Sequence, residues 1–248
     1  MTQLRLGAAA AALVLLGAPA QAVPTFDNFG TLFAATFGGS GIPNDAVAIT
    51  DVTVGGDTIL LGLTAHQRFV GPNLANDGAG IFTAPAGFAT PPASSLGGAL
   101  WNFGYYIEAG SALALSDYQI DIFYDFDPGA DTPLSEMGRI DVTAFLVANN
   151  AGGLKGLVLE GSENLAFGFL SAGIPGLVIP PLFPSFDPFA EGEYSFAITV
   201  ATETEIDRVG IKVNVVGETS TVVPVPAALP LLGLGLAALA FAGRRRAA

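Results

Sequence analysis

The chain has 248 residues, no cysteine and a single histidine, and its 22 acidic side chains outnumber nine basic ones for a net charge of −13. The lack of cysteine excludes disulfides, zinc–thiolate sites and cysteine nucleophiles. The negative charge argues against nucleic acid and against an anionic membrane surface as partners, because both attract basic proteins. Residues 1–22 and the last 30 residues differ in composition from the rest. The roughly 200 residues between them are enough for one domain with its own core.

Residues 1–22 have the basic, apolar and small-residue order of a secretory signal peptide. Arg5 supplies the positive charge, and Ala20 and Ala22 form an A-x-A cleavage site. The apolar stretch between them is too short to span a membrane comfortably. We therefore expect cleavage before Val23 and export of the rest of the chain, with an uncleaved N-terminal anchor as the alternative.

Residues 23–218 are expected to form one all-β body. In residues 118–126, apolar or aromatic side chains occupy every second position, which is the period of a half-buried strand. The other face of this strand carries Gln119, Asp121 and Asp125, which we expect to point to solvent. Similar patterns predict strands at residues 46–54, 58–64, 101–107, 139–147, 165–170, 194–200 and 209–215.

The number of short strands favours a two-sheet architecture. Eight or more strands without a long amphipathic helix predict an antiparallel β-sandwich, jelly-roll-like or Ig-like, with a barrel as the alternative. In residues 209–215 the alternation places Lys212 on the solvent face. Residues 174–188 contain five prolines and are expected to be a long surface loop. Residues 219–226 are expected to be a linker.

Three aspartates, Asp125, Asp127 and Asp131, surround an Asp-Pro-Gly sequence. Carboxylates at alternate positions beside a glycine resemble the start of a calcium loop, and three of them with carbonyl and water oxygens could complete the six to eight ligands that calcium takes. The later ligands of such a loop are missing here. The competing interpretation is a tight turn in which Asp127 accepts backbone N–H bonds.

Nothing in the sequence marks a catalytic site. His66 is the one histidine, and no G-x-S-x-G sequence accompanies it. No pair of carboxylates stands out as the two that a glycosidase needs. We therefore predict that the protein is not an enzyme and holds no cofactor other than the calcium considered above, with a hydrolase that uses two carboxylates as an alternative.

The chain ends in an apolar run, residues 227–243, followed by Arg244, Arg245 and Arg246. Seventeen helical residues extend about 26 Å, the low end for crossing a bilayer. A basic cluster stays on the cytoplasmic side of a membrane. Residues 227–248 are therefore expected to be a transmembrane helix with a cytoplasmic arginine-rich end.

The sequence Val223-Pro224-Val225-Pro226-Ala227, the apolar helix and the three arginines together resemble the VPLPA variety of the PEP-CTERM sorting signals. Val225 stands where that motif has leucine. The resemblance implies recognition by an exosortase-type membrane transpeptidase of Gram-negative bacteria that make exopolysaccharide. It also implies removal of the tail and release or attachment at the cell surface. A plain C-terminal anchor is the alternative.

These features predict a non-enzymatic exported protein of the cell surface or of the exopolysaccharide or biofilm matrix. It would be held in the inner membrane only until its tail is processed. The alternative is a carbohydrate-binding β-sandwich, assisted by calcium, that presents an exposed aromatic ring to sugars. Trp101, Tyr105 and Tyr106 are the candidates for that ring.

Overall fold

The computed structural model describes residues 24–68, 73–90, 97–202 and 206–217. These residues are mostly in strands, with two short helices, so the prediction of an all-β body is confirmed. In chain order the elements are β1 (Asn28–Gly30), β2 (Val47–Val54), β3 (Asp57–Gln67), β4 (Ala75–Asn76), β5 (Ile81–Pro85), β6 (Phe88–Ala89), β7 (Gly98–Ala99), β8 (Trp101–Ala109), β9 (Gln119–Tyr124), β10 (Gly138–Asp141), α1 (Val142–Ala148), β11 (Val158–Glu163), α2 (Gly168–Ala172), β12 (Val178–Ile179), β13 (Gly192–Ala201) and β14 (Ile206–Val216).

The strands form two main sheets and one small two-stranded pair. The first sheet has the order β1-β2-β3-β8-β11, and all of its neighbours are antiparallel. The second has the order β12-β10-β9-β13-β14-β5-β4, while β6 and β7 pair with each other. One pair, β5 with β14, is parallel rather than antiparallel as predicted. These two strands are far apart in the chain, so no local turn determines their relative direction.

The two main sheets pack face to face around one core. Side chains at every second position of β3 and β8 point inward, including Leu61, Leu63 and Phe103, and each is fully buried. The ring of Phe103 stacks on Phe196 of the second sheet with 4.6 Å between centroids. Trp101 meets the same ring edge-on at 5.9 Å. Burial of large rings from both layers is the main stabilising term of such an arrangement.

The outer face of the first sheet is covered by residues 31–44, here called the cover segment. Its apolar side chains form a second, smaller cluster with the sheet: Leu32, Ala35, Phe37, Val47, Ile49 and Tyr106. The close approach depends on two glycines beneath it. A Cβ at Gly62 would lie 2.8 Å from Leu32, and one at Gly104 would lie 2.9 Å from Phe37. No larger residue fits at either position without displacing the cover segment.

Six of the predicted strands are present with small shifts at their ends. They are the predictions at 46–54, 58–64, 101–107, 118–126, 194–200 and 209–215, which correspond to β2, β3, β8, β9, β13 and β14. The turn between β2 and β3 contains Gly55 and Gly56 with φ of 58° and 86°. Positive φ values are accessible to glycine at little cost, which explains why this sequence reverses the chain here.

The predicted strand at 139–147 is wrong beyond its first residues. Strand β10 ends at Asp141, whose side chain accepts a 2.7 Å hydrogen bond from the backbone N–H of Ala144. This cap starts α1, and Val142 and Leu146, four residues apart, bury their side chains from one helical face. A short apolar run is compatible with the two-residue period of a strand and with the 3.6-residue period of a helix. The cap formed by Asp141 favours the helix here.

The predicted strand at 165–170 is also wrong, because the strand lies earlier, in β11, and α2 follows it. Asn164 is fully buried between them. Its Oδ1 accepts bonds from the backbone N–H groups of Ala99 at 2.9 Å and Ala166 at 3.1 Å. An asparagine that bonds the backbone two residues further along stabilises a turn, so the strand ends at this point.

Asp121 and Lys212, which the alternation placed on solvent faces, are both buried. Asp121 is 6% exposed and lies 3.4 Å from Arg139 on the neighbouring strand. Lys212 is 7% exposed and bonds to Asp131 and Glu193. Period-2 alternation identifies which side chains share a face, but not whether other parts of the chain cover that face.

Candidate functional site

Asp125 directly follows β9 and is 1% exposed, so the prediction that it points to solvent is wrong. Its Oδ1 accepts a 2.8 Å hydrogen bond from the backbone N–H of Asp127, and its Oδ2 accepts a 3.4 Å bond from the N–H of Ser195. Burial raises the pKa of Asp125 to about 6, although these bonds and one from Thr132 oppose the rise. The carboxylate therefore serves as an internal acceptor for the turn that follows it.

Asp127 and Asp131 have different partners from each other. Oδ1 of Asp127 accepts a 2.8 Å bond from the N–H of Gly129. The carboxylate of Asp131, which has a φ of 59°, lies 2.7 Å from Nζ of Lys212, and Glu193 lies 2.8 Å from the same atom. Burial lowers the pKa of Lys212, but the bonds to the two carboxylates outweigh it, so the pKa lies above its ordinary value.

All three predicted calcium ligands thus make contacts within the protein. In residues 24–217, as far as the structure describes them, no group of three acidic or imidazole side chains is placed to hold a metal ion. The hydrogen bond from Gly129 to Asp127 is the one expected of the Asp-Pro-Gly turn. Calcium binding at this place stays a prediction.

A cleft of about 230 Å³ opens beside this turn and is here called the acidic cleft. Asp127 and Glu136 supply its carboxylates, and Phe183 supplies a ring that is 38% exposed. Leu182, next to it, is 75% exposed, as suits the predicted surface loop. The ring is not among the candidates named from the sequence, because Phe183 lies in a segment without strand periodicity.

The three candidate sugar-binding rings are placed differently. Trp101 and Tyr106 are 1% and 2% exposed and belong to the two apolar clusters. Tyr105 is partly buried and packs against the main core. Burial raises the pKa of Tyr105 to about 12, with a further contribution from Glu163. Trp101 and Tyr106 are therefore not available to a sugar at the surface.

The outer face of the first sheet brings His66 beside a serine. Nε2 of His66 lies 2.9 Å from Oγ of Ser162, and Nδ1 lies 3.0 Å from the carbonyl oxygen of Gln67. A carbonyl only accepts, so Nδ1 carries the proton and Nε2 accepts the Ser162 hydroxyl proton. Burial lowers the pKa of His66, against the effect of the Gln67 carbonyl, and the ring is therefore neutral at pH 7.

Further polar side chains fix this pair in place. Nδ2 of Asn102 donates to Oγ of Ser162 at 2.9 Å, and Nδ2 of Asn164 donates to Oδ1 of Asn102 at 2.7 Å. His66 and Ser162 are 96 positions apart, and no sequence signal connects them. The base here is oriented by a backbone carbonyl, whereas in a serine hydrolase triad a carboxylate orients it.

His66, Asn102 and Ser162 line a second cleft, of about 370 Å³, between the sheet and the cover segment. The guanidinium of Arg68 lies 5.2 Å from the centre of the Phe167 ring, on the same wall. The wall therefore offers donors and acceptors to a polar molecule, but the ring of Phe167 is already engaged by a cation.

The residues of both predicted processing sites lie outside the described part of the chain, so their roles stay predictions. They are Ala20, Ala22, Val223, Pro224, Val225, Pro226, Ala227, Arg244, Arg245 and Arg246. The apolar run at 227–243 lies outside it as well. Within the described residues, neither helix has the length and apolar character that crossing a membrane requires.

No protein-family model, curated protein or solved structure matches the chain. A functional assignment therefore rests on the motifs at the two ends and on the geometry of the body. The described body contributes two relevant features. One is the acidic cleft with its exposed ring, and the other is where the sheets begin and end relative to the predicted cleavage sites.

Proposed function

We propose that the protein is a non-enzymatic exported protein of the cell surface or exopolysaccharide matrix, delivered by its C-terminal sorting signal. The observation that carries the proposal is the motif at 223–227 followed by an apolar run and three arginines, in a chain whose first 22 residues have the residue order of a secretory signal peptide. Its partner is then an exosortase-type enzyme, which acts while the tail is still in the membrane. The body is, on this proposal, a jelly-roll-like or Ig-like β-sandwich.

The positions along the chain of the first and last β pairings support this processing. The first pairing of the described chain is a bridge between Thr25 and Gly210, and the last strand, β14, ends at Val216. Cleavage before Val23 and again within 223–227 would therefore remove no strand from either sheet. The body could leave the membrane with its core intact, which matters because it has no disulfide to compensate for a lost strand.

The mass of the protein recovered from the cell surface tests the proposal. We expect an N-terminus at Val23 and a C-terminus within 223–227. Replacing Pro224 and Pro226 together by alanine should leave the tail attached, because the extended segment that a processing enzyme grips is lost. Pro175→Ala, in an exposed turn of the body, is the control and should not affect processing. A wild-type mass that still includes Arg246 would contradict removal of the tail and support the alternative, a plain C-terminal membrane anchor.

A second candidate function is carbohydrate binding at the acidic cleft. The favouring observation is the exposed ring of Phe183 beside the carboxylates of Asp127 and Glu136. The C–H face of a sugar packs on an aromatic ring, and carboxylates accept hydrogen bonds from its hydroxyl groups. Phe183→Ala should weaken binding to the exopolysaccharide of the producing cell by about fivefold, since a lost stacking contact is worth about 1 kcal/mol. Phe189→Ala, 66% exposed but outside the cleft, is the control.

Calcium assistance at the same place has its own test. If Asp127 binds calcium, a millimolar concentration should raise Tm, because a ligand at a hundredfold excess over Kd stabilises the folded state by about 2.7 kcal/mol. Asp127→Ala should then abolish the increment. In a simple turn, Asp127→Ala costs about 1 kcal/mol whether or not calcium is present. An equal response to magnesium, unchanged in Asp127→Ala, would refute the calcium site.

A further inference from the structure

A cavity of about 400 Å³ lies between the two main sheets and is here called the inter-sheet cavity. Its walls come from β8 and β11 of the first sheet, from β9, β10 and β12 of the second, and from both helices. Most of the lining is apolar, and its aliphatic and aromatic members include Ile122, Ile140, Leu159, Phe169, Leu177 and Val178. Its volume and apolar lining are typical of sites for small organic molecules.

The carboxyl group of Glu163 lies in this largely apolar lining. Glu163 is the last residue of β11, opposite Phe103 of the core, so its side chain is directed between the sheets. Burial raises the pKa of Glu163 to about 7, and no hydrogen bond from a described residue opposes that rise. The described lining residues include no lysine or arginine. Among the described residues, the carboxyl group therefore lies in a largely apolar place without a counterion.

The other acidic residue of the cavity wall, Glu160, is already occupied. Its carboxylate accepts bonds from the backbone N–H groups of Thr36 at 2.7 Å and Phe37 at 2.8 Å, and from the Thr36 hydroxyl at 2.6 Å. Tyr105 also lines the cavity, and its raised pKa keeps its hydroxyl neutral at physiological pH. Glu163 is consequently the group that sets the charge preference of the site.

We propose that the inter-sheet cavity binds a small apolar molecule that carries one basic amine, with its ammonium group on the carboxylate of Glu163 and its apolar part between the sheets. A half-buried carboxylate in an apolar lining without a counterion is unfavourable, and an ammonium group would supply the missing charge and hydrogen bonds. An anionic ligand would instead be repelled by Glu163, whereas the carboxylate of Glu160 is bonded to the cover segment on the outer face of the sheet. Phe145 and Ile174, which line the cavity and are 41% and 39% exposed, form its opening to solvent.

Matched probes on the full chain test the proposal by calorimetry. 4-Phenylbutylamine, 4-phenylbutanol and 4-phenylbutanoate share one apolar part and differ in charge. At about pH 8 the amine is protonated, as lysine is, and Glu163 is ionised. We expect the amine to bind the wild type more tightly than the alcohol, and the carboxylate to bind least. Glu163→Gln should weaken amine binding by at least about tenfold and leave alcohol binding unchanged.

Two further variants separate the cavity from general attraction of cations to an acidic protein. Glu191→Gln removes one negative charge at an exposed position outside the cavity and should not change amine binding. Leu159→Trp fills the cavity and should abolish binding of all three probes. The proposal is wrong if the wild type binds no amine, if the alcohol binds as tightly as the amine, or if Glu163→Gln binds the amine like the wild type. If Glu163→Gln does not fold, two results test the proposal instead. The wild type should bind the amine more tightly than the carboxylate probe, and Leu159→Trp should bind neither.

Discussion

At the scale of single residues, the second sheet contains charges buried beside their partners. Strand β9 lies between β10 and β13, so side chains of both neighbours flank Asp121. Burial raises the pKa of Asp121, while Arg139 and a bond from Gln119 oppose the rise. The carboxylate is therefore tolerated mainly because Arg139 is adjacent to it.

Arg139→Met tests this dependence. Removal of the guanidinium leaves Asp121 without its counterion, and we expect a loss of about 1–2 kcal/mol in the free energy of unfolding. The loss is below the 3–5 kcal/mol typical of a fully buried pair, because the Arg139 side chain is 34% exposed and water screens it. In an Asp121→Asn background, the same change should cost almost nothing. Equal losses in both backgrounds, measured by urea unfolding, would show that the pair is not coupled.

At the scale of elements, hydrogen bonds to one strand residue anchor the cover segment to the first sheet. Glu160 of β11 accepts three hydrogen bonds from Thr36 and Phe37, while apolar contacts hold the same segment to the outer face of the sheet. A carboxylate that accepts two backbone N–H bonds is a strong, charge-assisted anchor. The segment also forms one wall of the cleft that contains His66, so the shape of that cleft depends on Glu160.

Glu160→Gln should loosen the cover segment without unfolding the sheets. Both N–H groups bond to the same carboxylate oxygen, so the amide oxygen can still accept them, but without the negative charge that strengthens the bonds; the NH₂ group replaces the oxygen that accepts from the Thr36 hydroxyl. We expect amide hydrogen exchange in residues 31–44 to become at least about tenfold faster, while β13 and β14 are unaffected. Glu191→Gln is the control for the change in net charge. If exchange stays the same, apolar packing alone holds the segment.

At the scale of the whole molecule, the raised pKa values of Asp125 and Glu163 contribute to how stability depends on pH. Burial raises the pKa of Asp125 to about 6 and that of Glu163 to about 7. Between the ordinary values near 4 and these raised values, the folded state binds more protons than the unfolded state. Stability therefore falls as pH rises through this range. Mutual repulsion of the other acidic groups acts in the same direction.

The wild type should accordingly be more stable near pH 4.5 than near pH 7.5, and Glu163→Gln should reduce the difference. Because the amide never ionises, the variant should equal the wild type near pH 4.5 and exceed it by about 1–3 kcal/mol near pH 7.5. Thermal melts across this range measure the effect. The lowered pKa of His66 acts in the opposite direction on both proteins. An advantage of Glu163→Gln over the wild type that does not increase with pH in this window would therefore contradict the assignment.

How far the sequence predicts the structure depends on the range of the interaction involved. The strand at 118–126 and its inward Ile122 were predicted from alternation, since that pattern is local and burial follows the pleat. The helix at Val142–Ala148 was missed because Asp141 acts as a cap only if the chain leaves the sheet there. The Asp127 turn was foreseen as one of two interpretations, since Asp-Pro-Gly is a local turn signal. The pairing of His66 with Ser162 and the position of Glu163 were not foreseen.

By itself, the sequence determined the all-β class of the body, most of its strands, and the expectation of export and sorting that rests on the two ends. These follow from periodicity, turn residues and short motifs, which act over a few residues. Only the tertiary structure decided which polar faces are covered, that β5 runs parallel to β14, and that a cavity forms between the sheets with Glu163 in its wall. These depend on strands and segments that are distant in the chain, and no local pattern records which of them will pack together.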